Sequence, residues 1–197
     1  MRIACLVQKK MHKKWKAFLT ESKLRIFDFD DTLVKTDAKI IVTLPDGTEE
    51  HLTPGEYAVH EIDEENQYDF SEFEKPSLIN PREIEKVTNV LRNVLGAAGD
   101  RDIVILTARP PSSQNAILNY LEEIGINTQS IEIVLLGDSD PRSKSNWIEN
   151  KIVDGATDIL FLDDSGKNVE AVKKLSKTYP NVKLDARKVD YADEIED

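Results

Sequence analysis

Leu24-Arg-Ile-Phe-Asp28-Phe-Asp30-Asp31-Thr32-Leu33 is a short apolar run, rich in β-formers, that delivers two carboxylates two residues apart and stops in a polar turn. In a strand, residues i and i+2 share a face. Asp28 and Asp30 are therefore expected to leave the end of a buried strand together, close enough to share one cation. Like charges held so near each other are unfavourable unless something positive sits between them. The plainer alternative is a strand followed by an acidic turn.

Downstream of Asn80 the pattern is regular. Asn80 can cap a helix, Pro81 suits its first position and Glu83 nearly completes a capping box. Ile84, Val87, Leu91 and Val94 follow at helical spacing, ending near Gly96 or Gly99. Asp102-Ile-Val-Ile-Leu-Thr107 is a continuous apolar strand, as in a parallel sheet covered on both faces. Ile117, Tyr120, Leu121 and Ile124 mark a helix closed by Gly125, and Ile131–Leu136 a third strand. Trp147, Ile148, Lys151 and Ile152 mark another helix, Asp158–Leu162 a fourth strand, Val169, Val172 and Leu175 a helix, and Val182–Leu184 a last short strand. Strands alternating with helices over short connections predict an α/β fold: a Rossmann-like, doubly wound, mainly parallel sheet formed by 24–33 and 80–189.

Residues 34–79 interrupt that pattern. Lys39–Leu44, Pro45-Asp46-Gly47 and Thr48–Leu52 read as a β-hairpin with turn chemistry in the middle. An acidic, aromatic stretch from Glu56 to Ser77 follows, with Tyr57, Tyr68, Phe70 and Phe73 but no clear period. The segment is expected to be a flap or cap insertion, too small and polar to own a substantial core, leaning on the main domain. The first 23 residues are basic. Trp15, Phe18 and Leu19 lie at helical spacing among five lysines, predicting a short amphipathic helix, either packed on the domain or an arm for nucleic acid. Residues 190–197 form an acidic tail, expected to be loose.

A net charge of −11 over 197 residues argues against a surface built mainly to hold nucleic-acid backbone. That charge is uneven: residues 1–25 hold eight Lys or Arg against one Glu, leaving 18 basic and 36 acidic residues elsewhere. The lone cysteine, Cys5, cannot form an internal disulfide, and no apolar stretch approaches the ~18 residues that span a membrane. A cytoplasmic protein with no membrane partner is expected.

In open parallel sheets the working site lies outside the C-terminal ends of the strands. The first strand delivers Asp28, Asp30, Asp31 and Thr32 there, and the second Thr107-Ala108-Arg109. The third delivers the loop Gly137–Lys144, and the fourth Asp163-Asp164-Ser165-Gly166-Lys167-Asn168. Any one of these is ordinary, because loops are polar and Asp often caps the next helix. Together they bring carboxylates, a hydroxyl and an amine to one edge.

These segments resemble the haloacid dehalogenase (HAD) superfamily of phosphohydrolases and phosphotransferases, over roughly residues 24–177. Asp28-Phe-Asp30-Asp-Thr32 matches its DxDxT motif and the strand ending in Thr107 its second. Lys144, opening a helix, matches its third, and Asp163-Asp164 with Asn168 its acidic fourth. Asp31 stands where glycine is common in the family, and aspartate tolerates the left-handed backbone useful in turns. The Ile79-Asn-Pro81 entry, Lys144 and Asp163-Asp164 are also similar to the phosphatase half of phage polynucleotide kinase/phosphatases.

The resemblance implies Asp28 as nucleophile, forming an aspartyl-phosphate, and Asp30 as general acid/base. It implies Mg²⁺ held by Asp28, the backbone carbonyl of Asp30 and Asp164, with Asp163 acting through water; which of Asp163 and Asp164 binds directly stays open. Thr107 would bind a phosphoryl oxygen, and Lys144 would balance the charge of nucleophile and phosphate. Lys151, a rival for that role, lies seven helical residues on, ~10 Å along the axis. Arg109 could touch substrate or be a surface arginine before Pro110-Pro111. His12, His51 and His60 show no ligand spacing and read as surface or packing residues.

Asp30, two residues after the nucleophile, favours a phosphatase or phosphotransferase over a dehalogenase, which needs no such acid. The expectation is a Mg²⁺-dependent phosphomonoester hydrolase acting on a nucleotide, a phosphosugar or a phosphorylated nucleic-acid end. Its alternatives are a non-catalytic binding protein on the same fold and a phosphotransferase or mutase.

Overall fold

A computed structural model describes residues 22–194. Of the basic segment 1–23 only Ser22 and Lys23 are described, and they begin a strand rather than continue a helix. The readings made for 1–21 and 195–197 lie outside the described residues. Ser22–Phe27 forms β1, Asp102–Thr107 β7, Ile131–Leu135 β8, Ala156–Asp163 β9 and Lys183–Lys188 β10. The five make one all-parallel sheet in the order β10-β9-β1-β7-β8. Between β1 and β7 lie the short strands β2 (Val34–Lys35), β3 (Ile40–Thr43), β4 (Glu49–Leu52), β5 (Gln67–Asp69) and β6 (Arg82–Glu83).

Helices cover both faces of the central sheet. The chain runs outward from β1 through β7 to β8, then returns to the other side of β1 for β9 and β10, so its order reverses at β1. Alternate residues of each strand point to opposite faces. Phe27, Ile103 and Ile105 pack under α2 (Glu85–Gly96) and α3 (Gln114–Glu123), through Val87, Leu91, Ile117 and Leu121. Leu24, Ile26, Val104 and Leu106 pack under α4 (Pro141–Val153) and α5 (Gly166–Thr178), through Ile148, Ile152, Val169 and Val172. Strands buried on both faces have no polar face to show, hence the unbroken apolar runs. No helix among the described residues is long and apolar enough to cross a membrane.

The expected hairpin forms, with β3 paired to β4 around Gly47 at φ +84°. It gains a third strand that has no period to announce it: β5 pairs with the other edge of β3. The insertion also owns more core than its polarity predicts. Ala38, Ile40, Val42 and Phe73 are buried together, with Leu52, Tyr57, Tyr68 and Phe70 against them. Thr53 and Glu56 form a reciprocal capping box on the short helix α1 (Pro54–Val59).

The entry to α2 differs from the sequence expectation. Asn80 does not cap it: its φ is +43° and its Nδ2 donates to Asp37 Oδ2 at 2.9 Å. Residues 82–83 instead pair antiparallel with 34–35, closing a stem under the insertion, and α2 starts at Glu85. The beginning of the acidic tail is packed, not loose. Val189 and Ala192 join the core, Lys86 pairs with Glu194, and its ammonium sits 4.6 Å from the Tyr191 ring centroid.

Candidate active site

β1 ends at Phe27, yet Asp28 continues its direction: the Asp28 N–H donates to the Leu162 carbonyl of β9 at 2.9 Å. The chain then turns sharply. The Phe29 carbonyl accepts from the N–H groups of Thr32, Leu33 and Val34, and Asp31 takes φ +53°. Phe29 is wholly buried among core side chains, which locks the turn and leaves the side chains of Asp28 and Asp30 on the cavity side.

The site sits where the strand order reverses, outside the C-terminal ends of β1 and β9, where open α/β sheets place their ligands. Lys144, in the first turn of α4, reaches back over the strand ends. Its Nζ donates to Asp28 Oδ1 at 2.6 Å and to Asp163 Oδ2 at 2.7 Å. Asp140 caps that helix by accepting the Arg142 N–H. Asp163 is completely buried and fully engaged. Besides Lys144, it accepts from the Ser165 N–H at 2.8 Å and from Asn168 Nδ2 at 3.0 and 3.1 Å. Asp164 is better exposed and is tied to the DxDxT turn, its N–H donating to Thr32 Oγ1 at 3.1 Å.

Carboxylate oxygens of Asp28, Asp163 and Asp164 lie within 4.8 Å of one another. Burial pushes the Asp28 carboxyl well above the ordinary carboxylate range. Lys144 pulls it back, while Asp163 and Asp164 push it up. Asp164 is pushed up to about 7, by burial first and then by Asp163 and Asp31. Burial also works against the Lys144 ammonium, but Asp163 and Asp28 outweigh it and hold the lysine charged. A set of acidic oxygens this crowded, with one ammonium between three carboxylates, has room for more positive charge. An all-oxygen donor set suits a hard divalent cation.

The Asp30 carboxylate lies outside the cluster that Asp28 forms with Asp163 and Asp164. The Asp30 carboxylate turns to Arg109, which grips it with Nε to Oδ2 at 2.9 Å and Nη2 to Oδ1 at 2.8 Å. Arg109 is thereby buried rather than a surface arginine, and its Nη1 donates to the Phe73 carbonyl at 3.3 Å. Thr107, at the end of β7, is buried and accepts the Arg109 N–H on its hydroxyl. Lys151 lies elsewhere, paired with Glu132 and resting over Trp147.

Asp28, Asp30, Thr107, Arg109, Lys144, Asp164 and Asn168 line one cavity of about 790 Å³. The sequence reading missed what faces them. Tyr57, His60, Phe70 and Phe73 of the insertion line the same cavity, as do Asp138 and Asp140. His60 is a packing residue, as expected, but one packed at the cavity wall between Tyr57 and Tyr68. The available signal was aromatic recurrence in a stretch with neither helical nor strand period. Comparison of the chain with protein-family models, with curated proteins and with solved structures gave no match.

Proposed function

We propose that this chain is a phosphomonoester hydrolase of the HAD type, working through an aspartyl-phosphate on Asp28. The observation that carries this reading is the buried Asp28 carboxylate held against Lys144, with Asp163 and Asp164 in the same cluster. In the first step an Asp28 carboxylate oxygen attacks phosphorus. The ester P–O bond breaks, and the leaving oxygen takes a proton from Asp30. In the second step Asp30 takes a proton from water, whose oxygen attacks the same phosphorus. Inorganic phosphate leaves and the Asp28 carboxylate is restored.

Lys144 offsets the charge that builds when a phosphate dianion approaches Asp28. The Thr107 hydroxyl supplies a hydrogen bond to a phosphoryl oxygen, and Arg109 positions Asp30. Mg²⁺ is the cation of this reading: Asp28, Asp164 and the Asp30 carbonyl would hold it, with Asp163 behind them, and when bound it would neutralise charge on phosphate and nucleophile. Substrates on this reading are nucleotides, phosphosugars or phosphorylated nucleic-acid ends, met in the cytoplasm. The basic N-terminal segment is the part of the chain suited to touch nucleic acid.

The test is Mg²⁺-dependent phosphate release from 4-nitrophenyl phosphate and a panel of those esters. Release should vanish with chelator and in Asp28→Asn. Turnover that survives in Asp28→Asn would sink the aspartyl-phosphate.

A further inference from the structure

The cavity over Asp28 has two unlike walls. One is the phosphate end, built from strand termini. The other is aromatic and belongs wholly to the insertion: Tyr57 and His60 lie near-parallel at 16° with ring centroids 6.4 Å apart, and Phe70 meets Tyr57 edge-on at 5.4 Å. At about 790 Å³ the cavity is of the size that encloses a small organic molecule.

The aromatic wall is fixed to the phosphate end. The Phe73 carbonyl accepts from Ser113 Oγ at 2.6 Å and from Arg109 Nη1 at 3.3 Å, and the guanidinium lies 5.0 Å from the Phe73 ring centroid. The same guanidinium grips Asp30. Phe73 is thereby tied to the phosphate end, and Tyr57 and Phe70 line the same cavity as Asp28.

The rim is acidic. Glu74, Asp138 and Asp140 line the cavity, and Ile62, which also lines it, is flanked by the exposed Glu61, Asp63, Glu64 and Glu65. Two of the lining cations are already spent, Lys144 on Asp28 and Asp163, and Arg109 on Asp30. Lys167 is exposed and in no ion pair among the described residues. Asp140 is paired with Arg142, so a second phosphate, or the phosphodiester backbone of a nucleic-acid strand, would face the remaining carboxylates with Lys167 as the lining lysine to offset them.

Resting on the hydrolase reading above, we propose that the cavity selects nucleoside monophosphates: one phosphate on Asp28, one flat heterocycle against Tyr57 and Phe70, and no further phosphate. A base stacked on aromatic side chains contributes enough to raise kcat/KM by about tenfold or more over the same phosphosugar without a base.

Two measurements separate this proposal from the hydrolase reading. The first is Mg²⁺-dependent kcat/KM for adenosine and cytidine 5′-monophosphates, ribose 5-phosphate, adenosine diphosphate and a 5′-phosphorylated hexanucleotide. The mononucleotides should lead each of the others by about tenfold. Tyr57→Ala should shrink their lead over ribose 5-phosphate to about threefold or less, and Tyr57→Phe should keep it. The second is calorimetric binding of the same ligands to Asp28→Asn protein, which needs no turnover. Ribose 5-phosphate or the hexanucleotide equalling the mononucleotides in both measurements overturns the proposal. If nothing is hydrolysed but Asp28→Asn protein still prefers mononucleotides, the hydrolase reading falls and the selection of a base stands. No hydrolysis and no such preference removes both.

Discussion

Arg109 grips Asp30 with two parallel hydrogen bonds, 2.9 Å from Nε and 2.8 Å from Nη2, from a position where its side chain is 3% exposed. Such a fork fixes both the distance and the plane of the carboxylate. It also makes Asp30 a structural partner, a role that must be told apart from the chemical one proposed for it. If Asp30 protonates the leaving oxygen, Asp30→Asn should slow an alkyl phosphate by about 10²–10⁴. It should lower kcat/KM for 4-nitrophenyl phosphate far less, because that leaving group departs without a proton. kcat/KM reports the first step and not the Asp30-assisted hydrolysis common to both esters, so equal losses in kcat/KM would remove the acid from the mechanism.

Arg109 itself should tolerate no replacement. Arg109→Ala strands the Asp30 carboxylate and leaves the Phe73 carbonyl with Ser113 Oγ alone, and breaking a buried pair from one side costs about 3–5 kcal/mol. Arg109→Lys supplies charge but cannot form both bonds, so it should recover only part of that loss. Urea unfolding of the three proteins gives the order: wild type, then Lys, then Ala.

Metal binding should show as stability before any turnover is measured. A cation bound to the native acidic cluster and not to the unfolded chain stabilises by about 2.7 kcal/mol at a hundred times its Kd. Thermal unfolding midpoints should therefore rise with added MgCl₂, beyond the effect of NaCl at equal ionic strength. Asp164→Asn removes the more exposed of the two adjacent carboxylates at the end of β9 and should flatten that rise. An undiminished rise in Asp164→Asn would place the cation elsewhere.

The sheet carries a pH-sensitive ion pair well away from the site. Arg25 of β1 donates to the Asp158 carbonyl at 2.9 Å and pairs with Asp158 Oδ1 of β9 at 3.1 Å, with Lys183 of β10 at 3.5 Å from Oδ2. Burial raises the Asp158 carboxyl, but Arg25 and Lys183 outweigh it and hold it below its ordinary value. A depressed carboxyl adds stability above its unfolded pKa, near ~3.9, and that stability is lost as pH falls through the lower folded value. Asp158→Asn should thus lower stability by about 1–2 kcal/mol at pH 7. The gap to wild type should close on acidification below ~4. Denaturant melts at a series of pH values decide it.

The parts of this molecule that the sequence disclosed are those whose cause is local. Apolar runs such as 102–107 mark strands buried on both faces, and the polar residues just after them had to meet at one edge. Asp28, Lys144, Asp163 and Asp164 do meet there. The parts it hid depend on distant partners. Asn80 reads as a helix cap until Asp37 takes its side chain and the stem pairs residues 82–83 with 34–35. Before Pro110-Pro111, Arg109 reads as a surface residue equally well until Asp30 and Phe73 claim it. Gln67–Asp69 is three residues long and becomes a strand only because β3 offers an edge. No period in the chain announces such pairings.

The insertion's small separate core predicts that it opens by itself. Ala38, Ile40, Val42 and Phe73 are buried with one another, apart from the two clusters that cover the central sheet. Phe73→Ala empties the middle of that group, a change that costs about 3–5 kcal/mol where neighbours cannot collapse into the space. Because the loss falls on a unit with its own core, it should appear as sub-global opening rather than as loss of the whole fold. Native-state hydrogen exchange followed by mass spectrometry should show amides of β3 and β5 exchanging much faster in Phe73→Ala. Those of β1, β7 and β9 should keep their wild-type rates. Uniform acceleration across all five strands would mean that the insertion and the sheet melt as one, with the Arg109 and Ser113 hydrogen bonds to the Phe73 carbonyl as the coupling between them.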